Sequence, residues 1–562
     1  MKHSTPLHFK RIITTAILFA ILFFTNKNAN AQTPNIILGR PTDTSITASI
    51  MFGQVMQYYV EYGTTTGSYP NQTTTFTSVA KKPFEIDLQG LVANTKYFYR
   101  VQYKTSGGNF TPTPEYTFHT QRASGSTFTF TVEADEHLYD YGNPHLYTIT
   151  LQNELNDNPD FMFTLGDIFG DDHYPFTITQ RQVDSLRYLY RPRLGAICHS
   201  VPLNVCLGNH DGEKQYYLDT MPPNNLAVWS TLSRKVYYPN PEPNGFYSGN
   251  NTAEGFGIGL PQDYYAYTWG DALFVVLDAY RFDCDTNPKP NGWAWTLGLP
   301  QYTWLKNTLQ NSTAKFKFAF IHHPLGENRG GIIPAKEYEW GGNQGTQNHY
   351  TFNTNRPGWA MPVQQLFRTY GVQILFQGHD HLFAHEILDS VVYQEVPMAA
   401  DSTYQKGMLA NASAYTADTI AGSGYIRVTV SSSCVQVDYV QSYLPKDTLS
   451  GLHHNGTVAF SYTIGTCTIQ PNGIKSLLAN SSANIFPNPA NDKLMVEILD
   501  GSVSVYNLKL NDVLGKTVLT QNTNTTANAA LMDVSTIPNG IYFLNIETEH
   551  QGTVIKKVVI NH

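Results

Sequence analysis

Apolar and polar positions alternate in short runs at both ends of the chain and follow a mixed rhythm in the middle. Between residues 33 and 122, the runs Ser45–Phe52, Tyr58–Tyr62, Phe84–Leu88 and Tyr97–Tyr103 are separated by turn residues. Period-two alternation in short runs predicts half-buried strands and a β-sandwich of fibronectin type III kind. From 126 to 445, β-rich runs end abruptly in polar residues: Phe128–Asp135, Phe161–Asp167, Val201–His210, Ala272–Asp278, Phe316–His323 and Val372–His381. Leu146–Leu155, Arg181–Tyr190, Gln301–Leu309 and Val363–Tyr370 have helical spacing and lie between some of these runs. Strands alternating with helices predict an α/β layered domain, whose ligands gather at strand ends. Residues 446–480 are rich in Gly, Ser, Thr and Asn and read as a linker. Residues 481–562 return to short β-runs and predict a C-terminal all-β sandwich.

The first 31 residues read as a signal peptide. Lys2, Lys10 and Arg11 precede the apolar run Ile12–Phe24, and Ala29-Asn30-Ala31 places small residues where signal peptidase cuts. That run is too short to span a bilayer, and no later run approaches the roughly 20 residues required.

Composition narrows the class. The chain has 562 residues, 41% hydrophobic and 14% charged, enough apolar content for real cores and for three or four domains. Low charge with 36 Tyr and 30 Phe suggests a β-rich, extracytoplasmic protein. Losing residues 1–31 removes four basic residues and no acid, taking the formal charge from −8 to −12. No basic block occurs, which argues against nucleic-acid binding through a broad cationic face. The five cysteines form no CxxC and have no zinc-like spacing. Secretion permits disulfides, Cys434 with Cys467 is the candidate pair, and Cys206 in its apolar run is expected as a buried thiol.

Five polar motifs then stand in order: Asp135-Glu136-His137, Gly166-Asp167, Gly208-Asn209-His210-Asp211, His322-His323-Pro324 and Gly378-His379-Asp380-His381. Carboxylates, an amide oxygen and imidazoles are ligands that Fe, Mn, Zn and Co accept. Each motif follows an apolar run, so each ligand leaves a rigid strand onto a short loop. The count suggests two ions. Asp135, His137 and His381 can serve one, Asn209, His322 and His379 the other, and Asp167 can bridge both. Two metals roughly 3.5–4 Å apart can hold a bridging hydroxide as nucleophile and clamp a phosphoryl group for in-line displacement.

This ordered set resembles the calcineurin-like metallophosphoesterases. Arg40-Pro41-Thr42, Val60-Glu61-Tyr62-Gly63 and Leu91 through Arg100 resemble the N-terminal domain of purple acid phosphatases. The resemblance implies two mixed sheets packed face to face with flanking helices. It implies two divalent or trivalent metal ions (Fe, Mn or Zn) held by Asp135, His137, Asp167, Asn209, His322, His379 and His381. His322, two places before Pro324, takes the ligand role, and His323 lies outside the ligand set. His210 is implied as phosphate binder or general acid. Its neighbour Asp211 is a candidate for orienting that imidazole or raising its pKa. One departure stands out: purple acid phosphatases carry a Tyr three residues after the bridging Asp, where this chain has Gly170. Its absence puts the ferric requirement, the colour and the acid optimum in doubt. Tyr174 reads as a surface or packing residue, and Asp171 and Asp172 as a solvated turn.

Arg329 and His349 are the candidate substrate-binding residues at the rim, with Arg281 a further one. Trp293, Trp295, Trp340 and Trp359 read as core packing, with an apolar wall for an organic leaving group as the alternative. At the C-terminus, Pro487-Asn488-Pro489, Asp512 with Gly515-Lys516, Asn539-Gly540-Ile541-Tyr542 and Lys556-Lys557 resemble the sorting domain of type IX secretion substrates. That resemblance implies export by the type IX machinery of a Gram-negative bacterium, to the medium or the outer cell surface. The expected function is a secreted phosphoester hydrolase on small-molecule substrates, foremost an acid phosphatase-like phosphomonoesterase. The alternatives are a phosphodiesterase on the same metal core and a non-catalytic surface adhesin or scaffold.

Overall fold

The structure is a computed structural model that describes residues 33–218, 225–283, 291–406, 411–415, 419–449, 453–467, 483–498, 505–512, 517–522, 529–548 and 552–562. The signal segment, Cys284 and the Gly515-Lys516 pair lie outside the described residues. Two compact units divide between Cys467 and Thr468.

The first unit is built on two large mixed sheets. One has nine strands, in the order Thr457–Gly465, Cys434–Ser442, Ser423–Val430, Phe128–Glu133, Phe161–Thr164, Leu203–Val205, Asn35–Gly39, Ser45–Met51 and Phe84–Gln89. The other has eight, with Ala272–Val276, Phe316–Phe320 and Ile374–Gln377 parallel at its centre. Their inner faces meet through aromatic rings. Phe163 stacks on Phe320 at 3.9 Å, and Phe130, Phe274 and Phe376 close around them. These central strands are fully buried, which is why they read as unbroken apolar runs and not as alternating ones.

The helical stretches form as Pro144–Asn156, Gln180–Leu194, Gly298–Asn311 and Val363–Tyr370, and they cover the outer faces. Asn143 caps the first through Oδ1, and Thr179 with Gln182 forms a capping box on the second. The strands stop two to four residues before Asp135, Asp167, Asn209, His322 and His379, so all five stand on loops at strand ends.

The N-terminal module is a sandwich whose core holds Ile36, Leu38, Ile46, Ile50, Tyr58, Val60, Tyr99 and Val101. Its strand Asn35–Gly39 runs parallel to Leu203–Val205, with Gly39 opposite Leu203, so one of its sheets continues into the nine-stranded sheet. Buried polar contacts reinforce the join: Arg191 donates to the Ser49 carbonyl at 2.7 Å, and Tyr99 Oη to the His199 carbonyl at 2.6 Å.

The expected linker needs correction. Residues 457–465 are a strand paired with Cys434–Ser442 at the edge of the nine-stranded sheet. From Phe460 onward the strand alternates apolar with polar residues, and Phe460, Tyr462 and Ile464 pack against the core, so the Gly, Ser, Thr and Asn content of the wider window hides a period-two run. A disulfide between Cys434 and Cys467 ties its end to the neighbouring strand. Cys198 and Cys206 are buried free thiols.

The second unit is a small two-sheet β-structure. A three-stranded sheet (Ala483–Phe486, Lys493–Ile498, Ala529–Asp533) and a four-stranded one (Thr517–Asn522, Val505–Asn511, Gly540–Thr548, Gly552–Ile560) share a core of Leu494, Val496, Leu508, Leu510, Met532, Leu544, Ile546 and Val558. Lys556 and Lys557 lie in its last strand. Among the described residues of the chain, no helix is long and apolar enough to cross a membrane.

Candidate metal centre

The five motifs converge on one buried spot. Asp135, His137 and His381 bring their donor atoms within 4.8 Å of one another, and Asp167, His322 and His379 do the same. Asp167 Oδ2 lies between the groups, 3.5 Å from His137 Nε2 and 3.4 Å from His322 Nε2. Asn209 Oδ1 joins the second group, 2.9 Å from His322 Nε2. Asp135 Oδ1 faces His381 Nε2 at 3.7 Å and His137 Nε2 at 3.8 Å.

The backbone is bent to achieve this. Asp135, His137, Asp167, His379 and His381 all have positive φ, between 41° and 80°. Non-glycine residues rarely adopt this conformation, and such residues cluster where structure over-determines them for function. Gly208 is required by close approach, because a Cβ there would lie 2.2 Å from the Asp167 nitrogen and 2.3 Å from its Oδ1.

The donor set suits a metal. Asp135 Oδ1, His137 Nε2 and Asp167 Oδ2 are buried without a hydrogen-bond partner. Unpaired buried polar atoms are costly, and three in one spot call for a cation. His322 shows the same demand. A carbonyl only accepts, so its Nδ1 donates to the Leu165 carbonyl at 2.8 Å and turns Nε2 toward Asn209 and His379. Burial opposes a charge on His322, but the Asp167 carboxylate outweighs burial and raises it to about 9. The pocket thus favours positive charge. Burial pushes His379 well below its usual range and His381 down to about 4, which keeps both neutral as ligands must be.

Residues 128–383 match the calcineurin-like phosphoesterase family, and residues 484–561 match the secretion system C-terminal sorting domain. The chain carries a calcineurin-like phosphoesterase domain. It is a metal-dependent phosphoesterase with a type IX secretion sorting domain behind it. No curated protein matches the chain. Among solved structures, PhoD is similar at a TM-score of 0.54 and 16% identity, over 78% of this chain and 92% of that one. Purple acid phosphatase PPD1 from yellow lupin (Lupinus luteus) seeds follows at 0.51 and 15%, over 78% and 75%. These likenesses concern the fold.

The surroundings of the phosphoesterase centre change several sequence expectations. Asp211 does not touch the His210 ring. It is fully buried, and its carboxylate accepts backbone N–H groups of Gly208, Asp167 and Ile168 at 2.8–3.1 Å, so it shapes the loop that presents Asp167. The carboxylate on His210 is Asp172, whose Oδ1 is 2.7 Å from Nδ1. Asp171 and Asp172 are therefore no solvated turn: Asp171 is fully buried against Arg187 and Ser230, and Asp172 also binds Lys214 Nζ at 3.1 Å. Burial opposes charge on His210, yet Asp167 and Asp172 together raise it to about 9. Its Nε2 stands 4.0 Å from Asp167 Oδ2. Asp172, His173 and His210 also lie within 4.8 Å of one another, but the Lys214 ammonium already balances Asp172.

His323 stays outside the ligand groups, bonded to the Gly330 carbonyl at 3.1 Å and to the Leu325 N–H at 3.2 Å. Arg329 is at the rim, 43% exposed, bonded to the His379 carbonyl and 3.2 Å from Asp380 Oδ1. Asp380 is fixed in turn by Tyr415 Oη at 2.8 Å and the Gly330 N–H at 2.7 Å. His349 is exposed on a loop and belongs to neither ligand group. Arg281 is buried against Glu254 and Thr231, a structural pair. Trp293 and Trp340 are buried, while Trp295 and Trp359 pack against the outer core. Tyr174 is 72% exposed. At Gly170 a Cβ would lie 2.5 Å from the Tyr139 ring, so Tyr139 covers the place where a side chain would begin. Lys214, Asp172 and Tyr139 carry no spacing signal, because each reaches the centre through a loop contact distant in sequence.

Proposed function

We propose that this protein is an exported phosphomonoesterase, active outside the cell or on the outer surface of a Gram-negative bacterium. The observation that carries the reading is the pair of ligand groups sharing Asp167 Oδ2, with His210 Nε2 at 4.0 Å from the same oxygen. Asp135, His137 and His381 would hold one metal ion, Asn209, His322 and His379 a second, and Asp167 both. Bound there, two ions of Fe, Mn or Zn type supply Lewis acidity and an acidified water to phosphoryl transfer.

The chain's own residues do the rest. His210, held protonated by Asp172 and Asp167, faces the leaving oxygen. As the P–O bond breaks, Nε2 gives its proton to the alkoxide, and a neutral alcohol departs. Asp172 fixes the ring so that Nε2 points inward. Arg329 stands at the mouth and pairs with a terminal phosphate oxygen, which a monoester has and a diester lacks. His349 is the further candidate on the rim. Asp211 holds the Asp167 loop by backbone hydrogen bonds and takes no part in proton transfer.

The test uses the full mature chain with p-nitrophenyl phosphate and bis-p-nitrophenyl phosphate side by side, and metal analysis of the same sample. Preference for the monoester with two metals per chain supports the reading. Preference for the diester replaces the substrate class. Turnover of neither, with no metal retained after loading, favours a scaffold.

A further inference from the structure

Two loops meet beside His210. Residues 138–142 leave the centre after His137, and residues 170–176 leave it after Asp167. Their joint is the Tyr139 ring lying on the bare Gly170 backbone. Tyr139 also meets His173 edge to face at 5.0 Å and His210 at 6.1 Å between ring centroids, and His173 meets His210 at 5.4 Å. From this joint the loops carry outward Tyr141, Tyr174 and Phe176, which are 70%, 72% and 68% exposed. Single exposed apolar side chains need no explanation, but three large aromatics on abutting loops at the mouth of a polar site mark a contact surface.

The charges nearby say what kind of group suits it. Of the cations at the centre, Lys214 is engaged by Asp172 and Glu327, and Arg329 stands beside His379 and Asp380, at the phosphate end of the site. On the aromatic side, Asp140 is exposed and repels an anionic alcohol portion. His210, the proton donor to the leaving oxygen, stands between the metal ligands and this rim. The phosphate would therefore lie inward and the alcohol portion outward, against the rings.

We infer that Tyr141, Tyr174 and Phe176 form an aromatic clamp that selects phosphate monoesters whose alcohol carries an uncharged aromatic or heteroaromatic ring, of the nucleoside kind. The inference rests on the phosphomonoesterase reading and names its substrate class. Stacking on tyrosine and phenylalanine tolerates many ring types, so the clamp selects planarity and not one base.

Adenosine 5′-monophosphate and ribose 5-phosphate test it on the full, metal-loaded chain. Both release the same primary alcohol oxygen, so leaving-group acidity is matched and the base is the difference. The expected result is a kcat/KM about tenfold or more in favour of the nucleotide, expressed mainly in KM. Calorimetry on the His210→Ala protein, whose turnover is slowed roughly 10²–10⁴-fold, is expected to show the same order of affinity. The Tyr174→Ala/Phe176→Ala protein, and separately Tyr141→Ala, are expected to bring the ratio toward one. All three side chains face solvent, so an unchanged Tm marks intact folding. Equal turnover of both esters by the starting protein overturns the clamp and leaves the phosphomonoesterase intact. So does a tenfold ratio that survives in the aromatic variants. Turnover of neither, with cleavage of bis-p-nitrophenyl phosphate, removes the underlying reading.

Discussion

His210 Nδ1 stands 2.7 Å from Asp172 Oδ1, so this imidazole is oriented by a carboxylate on the loop after Asp167 and not by its sequence neighbour Asp211. The same Asp172 binds Lys214, which reaches on to Glu327. Proton donor, carboxylate and lysine form one connected unit at the edge of the metal centre.

Asp172 is accordingly a positioning residue. Asp172→Ala is expected to lower kcat by roughly 10–100-fold, a part of what a general acid contributes. KM and metal content are expected to stay within about threefold, since Asp172 touches neither ligand group, and Asp172→Asn should restore part of the rate. Steady-state kinetics with metal analysis reads this split.

Asp167 and His210 should separate cleanly. Asp167→Ala removes the oxygen shared by both ligand groups and is expected to abolish turnover and metal pairing. His210→Ala is expected to keep its metals and lose roughly 10²–10⁴-fold in kcat. Retention of two metals by the Asp167 variant, or loss of one by the His210 variant, would contradict the assigned roles.

Arg329→Ala is expected to raise KM for monoesters about tenfold with a smaller change in kcat, because its guanidinium is half exposed at the mouth and outside the ligand groups. Equal KM values for variant and starting protein would place the phosphate elsewhere.

The unit boundary makes a truncation prediction. A chain ending at Cys467 is expected to keep hydrolysis and Tm while losing delivery to the surface. A chain ending at residue 456 loses the strand Thr457–Gly465 and the disulfide partner of Cys434. Its stability is expected to fall by about 2–4 kcal/mol, the usual worth of a disulfide. Denaturant unfolding of the two chains compares them.

His199 gives a pH dependence. Its ring stacks on Tyr116 at 4.0 Å, where the N-terminal module meets the phosphoesterase domain, and burial lowers it to about 4. The unfolded chain, with an ordinary histidine near 6.5, binds the proton first. Stability is therefore expected to fall as pH drops from about 6.5 toward 4, and to be flat above that range for this group. His199→Gln should show a shallower acid loss of Tm.

Much of the centre is legible in the chain because its ligands are local. Each of Asp135, Asp167, Asn209, His322 and His379 follows an apolar run, and a buried strand followed at once by a ligand type is a pattern readable from sequence. The helices are legible for the same reason: the helical spacing of Arg181–Tyr190 falls inside the helix Gln180–Leu194. The strand Thr457–Gly465 is less so, since its alternating Phe460, Tyr462 and Ile464 stand inside a wider window whose Gly, Ser, Thr and Asn content reads as a linker.

By itself the sequence determined the β–α/β–β order, the C-terminal sorting domain, and which residues could ligate metal. Strand periodicity and ligand chemistry are properties of short stretches. Only the tertiary structure decided that Asp172 and not Asp211 faces His210, and that Tyr139 covers Gly170. It also decided that the N-terminal sandwich continues into the larger sheet. In each case the partner is far along the chain. The choice follows from where folding points the backbone N–H groups of residues 167–169: they take up the Asp211 carboxylate and leave Asp172 for the imidazole.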